Sequence, residues 1–169
     1  MFVDIETTGI NTFEDRIICI GVYIPDAGAI IIYDPDEETM LKTFLNFLIK
    51  DKKLIGWRIK DFDVPFLKAR MLIHGVSDGI KNFKFAEIID LHEVLSDYQV
   101  KGQPLHSSMV YEALGIHGED YIYGGDVPHL YKVADIAPEN IEVIKDHCRY
   151  DLVKMVELYK YLNACGVVE

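Results

Sequence analysis

The first ten residues, MFVDIETTGI, place two carboxylates inside a β-strand pattern. Side chains of a strand alternate between its two faces, so Asp4 and Glu6 point to one face while Val3 and Ile5 point to the other. Acidic residues are depleted in strands, and two like charges this close raise each other's pKa. The pair is therefore costly unless a cation lies between the two side chains. A divalent metal ion is the simplest candidate.

The length of 169 residues and the hydrophobic content of 50% fit one globular domain that spans residues 1–169. The three cysteines, Cys19, Cys148 and Cys165, show no CxxC spacing, so we expect neither a disulfide framework nor a structural zinc site. A reducing cytoplasm suits such free thiols. The chain start lacks a signal-peptide pattern, and no apolar run approaches the length of about 20 residues that spans a bilayer. We expect a cytoplasmic protein that does not contact membranes.

The net charge of −11 argues at first against a nucleic-acid partner, because phosphate chains attract lysine and arginine. The charge is unevenly distributed, however. Residues 42–84 contain ten basic residues and four acids, which leaves −17 for the rest of the chain. This asymmetry suits a protein that meets a phosphate chain on one side, although lysines on ordinary helix surfaces would give the same pattern.

Apolar runs predict three strands in succession near the start, and two more strands farther along that alternate with helices. The expected strands lie within residues 2–10, 16–24, 29–33, 53–57 and 85–89. The expected helices lie at about residues 38–49, 63–74, 104–114 and 138–166, with one further short helix that begins after Asp90. Residues 115–138 are polar and rich in glycine, which predicts mainly loop, suited to a lid. The order indicates an α/β fold with a mixed sheet and helices packed on it.

Two further patterns carry acids. In FDVPFL, Asp63 lies at a strand-to-helix junction, where it could belong to a site or could simply cap the helix. In the last expected helix, His147 and Asp151 are four residues apart, which places them on one face, either as site residues or as an exposed polar pair.

The order of D-x-E, F-D-x-P-F-L and an aspartate four residues after a histidine resembles the DEDD (DnaQ-like) superfamily of 3′-to-5′ exonucleases. That superfamily includes the proofreading domains of DNA polymerases, and the resemblance covers residues 2–162. It implies a ribonuclease H-like fold, in which an antiparallel meander of three strands is continued by parallel strands in a five-stranded mixed sheet. It also implies that Asp4, Glu6, Asp63 and Asp151 bind metal ions.

The resemblance implies a two-metal-ion mechanism. Hydrolysis of a phosphodiester needs an activated water and relief of the charge on the leaving oxygen, and two divalent ions about 4 Å apart supply both. Oxygen ligands suit Mg²⁺ or Mn²⁺, and without a cysteine or histidine cluster in the sequence we do not expect zinc. By resemblance, Asp4 would bridge both ions, Glu6 and Asp151 would complete the site of the nucleophilic water, and Asp63 would hold the second ion.

The chain departs from the family at two positions. One branch of the superfamily has tyrosine four residues before the last aspartate and the other has histidine five residues before it, whereas this chain has His147 at the tyrosine position and Asp146 at the histidine position. We expect His147 to orient or deprotonate the attacking water, or else to be a satisfied histidine under the loop. At the family's asparagine position the chain has Arg58, which could hold a substrate phosphate or could be a surface residue.

Other residues occupy family positions near the substrate. Thr7 and Thr8 would lie beside the 3′-terminal nucleotide, while Phe62 and Phe66 could stack on bases or pack in the core. Asp90 forms a D-x-x-E capping box with Glu93, which accounts for it without catalysis. The tyrosines of the loop, Tyr121, Tyr123 and Tyr131, could stack on bases, pack the loop down or form a subunit contact.

The resemblance implies a metal-dependent 3′-to-5′ exonuclease that acts on single-stranded DNA or RNA and releases 5′-mononucleotides. An aspartate-nucleophile phosphatase would also place an acid pair after a first strand, but it requires aspartate where this chain has Glu6. An inactive nuclease fold that binds nucleic acid or a protein partner is the other alternative. The choice between DNA and RNA, and between a monomer, a homodimer and a complex with a partner protein, stays open.

Overall fold

A computed structural model of the protein describes residues 1–118 and 122–168. Its five strands are β1 (Phe2–Thr7), β2 (Ile17–Ile24), β3 (Gly28–Ile32), β4 (Lys53–Gly56) and β5 (Glu87–Asp90). Its seven α-helices within the described residues are α1 (Glu37–Lys50), α2 (Asp63–Ile73), α3 (Ser77–Phe83), α4 (Leu91–Ser96), α5 (Ser107–Ala113), α6 (Val127–Lys132) and α7 (Glu139–Ala164). Tyr121 lies outside the described residues.

The strands form one mixed sheet in the order β3-β2-β1-β4-β5. β1 pairs antiparallel with β2, and β2 pairs antiparallel with β3. β4 pairs parallel with β1 and with β5. This topology confirms the expected ribonuclease H-like sheet, a three-stranded meander continued by parallel strands. The strand with the two carboxylates lies at its centre.

The two faces of β1 have different surroundings. Val3 and Ile5 point to the face covered by α1, α2 and α3, in a core that includes Met40, Leu41, Phe44, Phe66, Leu67 and Met71. Phe2 points to the opposite face and packs in a second core with Leu152, Met155 and Leu158 of α7. The carboxylates of Asp4 and Glu6 share the face of Phe2, so they point towards α7.

A glycine on β2 sets how closely α7 approaches this face. Gly21 is the register partner of Asp4. A Cβ atom at position 21 would lie 2.6 Å from Sγ of Cys148 and 2.7 Å from Cδ1 of Leu152. Because any side chain here would collide with α7, the glycine allows the helix to lie directly against the strand pair.

Two helices were not expected from the sequence. α3 has only seven residues and contains Gly79, whose lack of a side chain makes room for Met71. α6 and the 3-10 turn at Gly124–Asp126 lie inside the stretch predicted to be mainly loop, so that prediction is wrong for these residues. α6 has only six residues, too few to form a stable helix alone. Val127 is 1% exposed and packs with Ile18 and Cys148, and this tertiary burial stabilises the helix.

Glu37 connects the first helix to its neighbours through a buried ion pair. Its carboxylate accepts hydrogen bonds from the backbone N–H of Ile17 (2.7 Å) and from Nε and Nη2 of Arg70 (3.0 and 2.7 Å). The same carboxylate lies 3.0 Å from Nε2 of His74. Burial alone would raise the pKa of Glu37, but the hydrogen bonds from Arg70 and Ile17 lower it. Arg70 is therefore a structural cation. Among the described residues, no helix is both long and apolar enough to cross a membrane.

Candidate active site

The two carboxylates of β1 are enclosed by the sheet and α7. Glu6 is 7% exposed, and Asp4 is half-buried. Oδ2 of Asp4 is completely buried and has no hydrogen-bond partner among the described residues. A buried carboxylate oxygen without a donor costs free energy, and a bound cation would remove that cost.

Asp63 reaches β1 from the first turn of α2. Its Oδ1 accepts a hydrogen bond of 3.1 Å from the backbone N–H of Ile5, between the two acids of the strand. The side chain of Asp63 is 4% exposed. The N-cap of α2 is Phe62 and has no side-chain hydrogen bond, so Asp63 is not the capping residue considered from the sequence.

α7 presents His147 and Asp151 to the acids of β1. Nε2 of His147 lies 3.8 Å from Oε1 of Glu6 and 3.7 Å from Oδ2 of Asp151. The histidine is 6% exposed, and its neighbour Cys148 contacts the backbone oxygen of Asp4 through Sγ at 3.9 Å. The structure thus brings together all five residues that the sequence analysis proposed as catalytic.

The acids of this cluster hold their protons more tightly than exposed carboxyl groups do. Burial, followed by the charges of Asp151 and Asp63, raises the pKa of Asp4 well above its ordinary value. Burial and the charge of Asp4 raise the pKa of Glu6 in the same way. Burial raises the pKa of Asp63 to about 7, with a contribution from the charge of Asp90. Burial, with repulsion between carboxylates at Asp4 and Glu6, is typical of acids that share a site for a cation.

The donor atoms fit a divalent metal ion. Within the described residues, two groups have all their donor atoms within 4.8 Å of one another, namely Glu6 with His147 and Asp151, and Asp4 with Glu6 and Cys148. One histidine and one cysteine thus lie at the acids, but neither group contains the several cysteines or histidines that are typical of zinc sites. Cys148 is a poor metal ligand, because metal ions bind the thiolate form. Its hydrogen bond with Cys19, and then its burial, raise the pKa of the thiol well above the ordinary value.

A cleft of about 890 Å³ opens onto His147 and Asp151. Its walls combine aromatic rings with cationic and polar groups, including Trp57, Arg58, Phe62, His106, Tyr111, His117, Tyr123 and Lys154. Arg58 and Phe62, which the sequence offered as possible substrate contacts, both line this cleft. Aromatic rings of this kind can contact apolar or aromatic groups of a ligand, and the cationic Lys154 beside Asp151 can contact an anionic group.

Three other expected substrate residues do not face this cleft. Phe66 is fully buried in the core of the sheet, so the expectation of a stacking contact is wrong for it. The hydroxyl of Thr7 donates to the backbone oxygen of Gly9 at 2.6 Å, and that of Thr8 donates to Oδ1 of Asp15 at 3.2 Å. Both hydroxyl groups thus close the turn after β1, and neither threonine lines the cleft among the described residues.

Asp90 organises the loop that carries Arg58. Its side chain caps α4 at the N–H of His92 (3.0 Å), as the capping box predicted. It also accepts from the backbone N–H groups of Arg58 (2.9 Å) and Lys60 (3.1 Å), which the sequence did not indicate. Arg58 is held with a φ of 53°, a left-handed conformation that asparagine tolerates better than arginine does.

Three functional candidates were missed from the sequence. Nζ of Lys154 lies 3.7 Å from Oδ1 of Asp151, one helical turn away, and the i, i+3 spacing was available as a signal. Tyr111 is 7% exposed, and burial followed by the charges of Asp151 and Asp4 raises the pKa of its hydroxyl. Trp57 lines the cleft with its ring edge-on to His92. Nothing in the sequence around Tyr111 or Trp57 links them to the acids.

Comparison with known proteins agrees with this architecture. The RNase_H_2 family, part of the RNase_H superfamily, matches residues 1–163. The chain therefore belongs to the RNase_H superfamily. It is 36% identical over 176 aligned positions to the uncharacterized protein MJ0365 of Methanocaldococcus jannaschii, with 99% of this chain and 97% of that protein covered.

A solved structure shows the same fold within a much longer chain. The family B DNA polymerase of the hyperthermophilic archaeon Pyrobaculum calidifontis superposes with a TM-score of 0.78 at 16% sequence identity. The match covers 95% of this chain and 24% of the polymerase. This chain thus corresponds to about a quarter of the polymerase.

Proposed function

We propose that the protein is a metal-dependent 3′-to-5′ exonuclease, which hydrolyses single-stranded DNA or RNA from the 3′ end and releases 5′-mononucleotides. The observation that carries the proposal is the meeting of Asp4, Glu6, Asp63 and Asp151 beside a cleft that Asp151 lines, with Oδ2 of Asp4 buried and without a partner in the described part of the chain. Membership of the RNase_H superfamily supports a nuclease.

The four carboxylates are the proposed metal ligands. The charges of both Asp151 and Asp63 act on Asp4 and, after burial, raise its pKa, which supports Asp4 as the carboxylate shared by two ions. Glu6 and Asp151 would hold one ion with Asp4, and Asp63 would hold the second. Mg²⁺ or Mn²⁺ would supply an activated nucleophile and neutralise the charge that develops at the leaving oxygen.

The residues of the cleft have separate tasks in this proposal. Trp57 and Phe62 offer rings to the terminal bases, and base–aromatic stacking contributes about 1–3 kcal/mol per base. Arg58 and Lys154 offer cations to the phosphates at the mouth of the cleft and beside Asp151. His147 is the fifth proposed catalytic residue, because its Nε2 lies 3.8 Å from Glu6 and 3.7 Å from Asp151, beside the proposed metal ion.

The proposal is tested by incubating 5′-labelled single-stranded DNA and RNA with the protein and Mg²⁺ or Mn²⁺. We expect a ladder of products that shorten from the 3′ end and that vanish with EDTA. Circular single-stranded DNA should stay intact, since it has no 3′ end. Asp151→Asn is the matched control, because it removes one charge with little change of shape.

Three outcomes would overturn this function. Cleavage of neither polymer would leave a fold that binds without catalysis, and equal cleavage by Asp151→Asn would remove the acids from the reaction. Cutting of circular DNA would make the protein an endonuclease instead.

A further inference from the structure

His147 stands in an unusual relation to the two acids beside it. Its Nε2 is 3.8 Å from Oε1 of Glu6 and 3.7 Å from Oδ2 of Asp151, and the three residues each offer a donor atom within 4.8 Å of the other two. Both distances exceed those of a hydrogen bond, which are about 2.7–3.2 Å. Two donor atoms that are each about 2.1 Å from one metal ion are about 3.0 Å apart at a right angle and about 4.2 Å apart when opposite. Both distances from Nε2 of His147 fall between these limits.

The surroundings of His147 hold the imidazole in this position. The ring is 6% exposed and belongs to the middle of the 26-residue helix α7. Gly124 lies over it, so that a Cβ atom on this glycine would be 3.4 Å from Nε2. A side chain at position 124 would therefore crowd this nitrogen. Beyond the acids, Oδ2 of Asp4 is buried and lacks a donor among the described residues.

We infer that His147 is itself a ligand of the metal ion held by Glu6 and Asp151, and that this nitrogen makes the site selective for Mn²⁺ over Mg²⁺. The inference rests on the proposed function only in taking these acids as metal ligands. It differs from the role expected from the sequence, in which His147 orients or deprotonates the water. A histidine that accepts a proton from water keeps Nε2 off the metal, whereas a ligand binds the metal directly through Nε2.

The selectivity follows from the chemistry of the donor. Mg²⁺ prefers oxygen donors and keeps its waters, while imidazole nitrogen suits transition-metal ions. Among first-row divalent ions, affinity at a given site rises from Mn²⁺ to Cu²⁺ and is lower again for Zn²⁺. The two carboxylates therefore suit both Mn²⁺ and Mg²⁺. The imidazole strengthens the binding of Mn²⁺ but not that of Mg²⁺.

The direct test is pulsed electron paramagnetic resonance of the full chain loaded with one equivalent of Mn²⁺. We expect ¹⁴N modulation from a bound imidazole in the unaltered protein, and its loss in His147→Ala and His147→Gln. The matched control is His106→Ala, which removes a different histidine of the same cleft and should keep the modulation. Circular dichroism verifies that each variant is folded.

Calorimetric titration supplies the second readout. His147→Ala should weaken Mn²⁺ binding by about tenfold or more, while Mg²⁺ binding changes by less than about threefold. Loss of the ¹⁴N signal together with a fall in the Mn²⁺-to-Mg²⁺ affinity ratio supports the inference. A bound Mn²⁺ without ¹⁴N modulation, or modulation that persists in His147→Ala, overturns it, as does an equal loss of affinity for both ions.

These readouts separate the inference from the proposed function. If the protein shows the ¹⁴N signal but cleaves no polymer, the ligand assignment stands and the exonuclease proposal fails. If it cleaves 3′ ends but shows no ¹⁴N signal, the exonuclease stands and His147 acts on the water instead. Failure to bind Mn²⁺ at all overturns both.

Discussion

Oδ1 of Asp63 accepts a hydrogen bond of 3.1 Å from the backbone N–H of Ile5, which fixes the start of α2 to the central strand between the two acids of that strand. The same carboxylate thus has a structural and a proposed catalytic task, and two substitutions separate them. Asparagine retains an oxygen that can accept from Ile5, whereas alanine leaves a buried N–H unpaired.

We therefore expect Asp63→Ala to lower the free energy of unfolding by about 1–3 kcal/mol, and Asp63→Asn to leave it near or above that of the unaltered protein. Both variants should lose metal-dependent cleavage by about a hundredfold or more, since each removes a metal ligand. Urea unfolding and the cleavage assay measure the two effects. Cleavage by Asp63→Asn at the original rate would limit Asp63 to the structural task.

The buried acids predict how the metal-free protein responds to pH. A carboxyl group whose pKa is higher in the folded than in the unfolded chain binds more protons when folded, so the free energy of unfolding decreases as pH rises between the two pKa values. For Asp63 this interval runs from 3.8 to about 7, and the pKa values of Asp4 and Glu6 are shifted in the same direction. The metal-free protein should melt at a higher temperature at pH 5.5 than at pH 8.

Added Mn²⁺ should reverse this order, because it binds the deprotonated acids. At a metal concentration about 100 times the Kd, binding adds about 2.7 kcal/mol, which corresponds to an increase in Tm of roughly 5–10 °C for a chain of this size. Differential scanning calorimetry at both pH values, with EDTA or Mn²⁺, measures the effect. Asp63→Asn is the control and should flatten the pH dependence, while a metal-free Tm that rises from pH 5.5 to pH 8 would contradict the shifted pKa values.

The sequence predicted the site more completely than it predicted the residues around it. Asp4 and Glu6 could be paired because the alternation of a strand is a strict local rule, and His147 with Asp151 because helical spacing is equally strict. The meeting of these two pairs depends on Gly21, which allows α7 to approach β2 closely. No local pattern specifies that approach, so the resemblance to a family carried the step from two pairs to one site.

The same dependence on packing explains what was missed. Cys148 reaches the acids only because of the rotation of α7 against β2, and Tyr111 arrives from a helix far away in the sequence. The basic stretch at residues 42–84 did not predict a phosphate surface as a whole. Arg58 lines the cleft, but Arg70 is buried against Glu37. The net charge of a segment does not predict which of its side chains lie on the same surface of the folded protein.

Gly21 provides a test of how the packing of α7 supports the metal site. The Cβ atom of Gly21→Ala would overlap Sγ of Cys148 and Cδ1 of Leu152, so α7 must shift. We expect a loss of about 1–3 kcal/mol in the free energy of unfolding, typical of an overpacked core. Because His147 and Asp151 move with the helix, Mn²⁺ affinity should also fall, as measured by calorimetric titration.

A second substitution in the same contact serves as the control for Gly21. Cys148→Ala removes the sulfur atom closest to the new methyl group, so the double variant should regain part of the Mn²⁺ affinity lost in Gly21→Ala. The two effects are then non-additive, as expected for residues in contact. Additive losses would show that the substitution at position 21 does not act through α7.

Arg58 combines a strained backbone with a proposed contact to phosphate, and one substitution affects the two in opposite directions. A left-handed conformation costs a residue with a side chain about 1–2 kcal/mol, and asparagine bears less of this cost. Arg58→Asn should therefore raise the free energy of unfolding by about 0.5–1 kcal/mol. It should also raise KM for a single-stranded oligonucleotide by about tenfold while kcat stays nearly constant, because the lost cation binds the substrate before and during the reaction alike.

Arg58→Lys separates charge from geometry, since it keeps the cation but not the planar fork of two donors. Its KM should lie between those of the unaltered protein and Arg58→Asn. Steady-state cleavage and urea unfolding give both quantities, and an unchanged KM in Arg58→Asn would make Arg58 a surface residue that the loop merely tolerates.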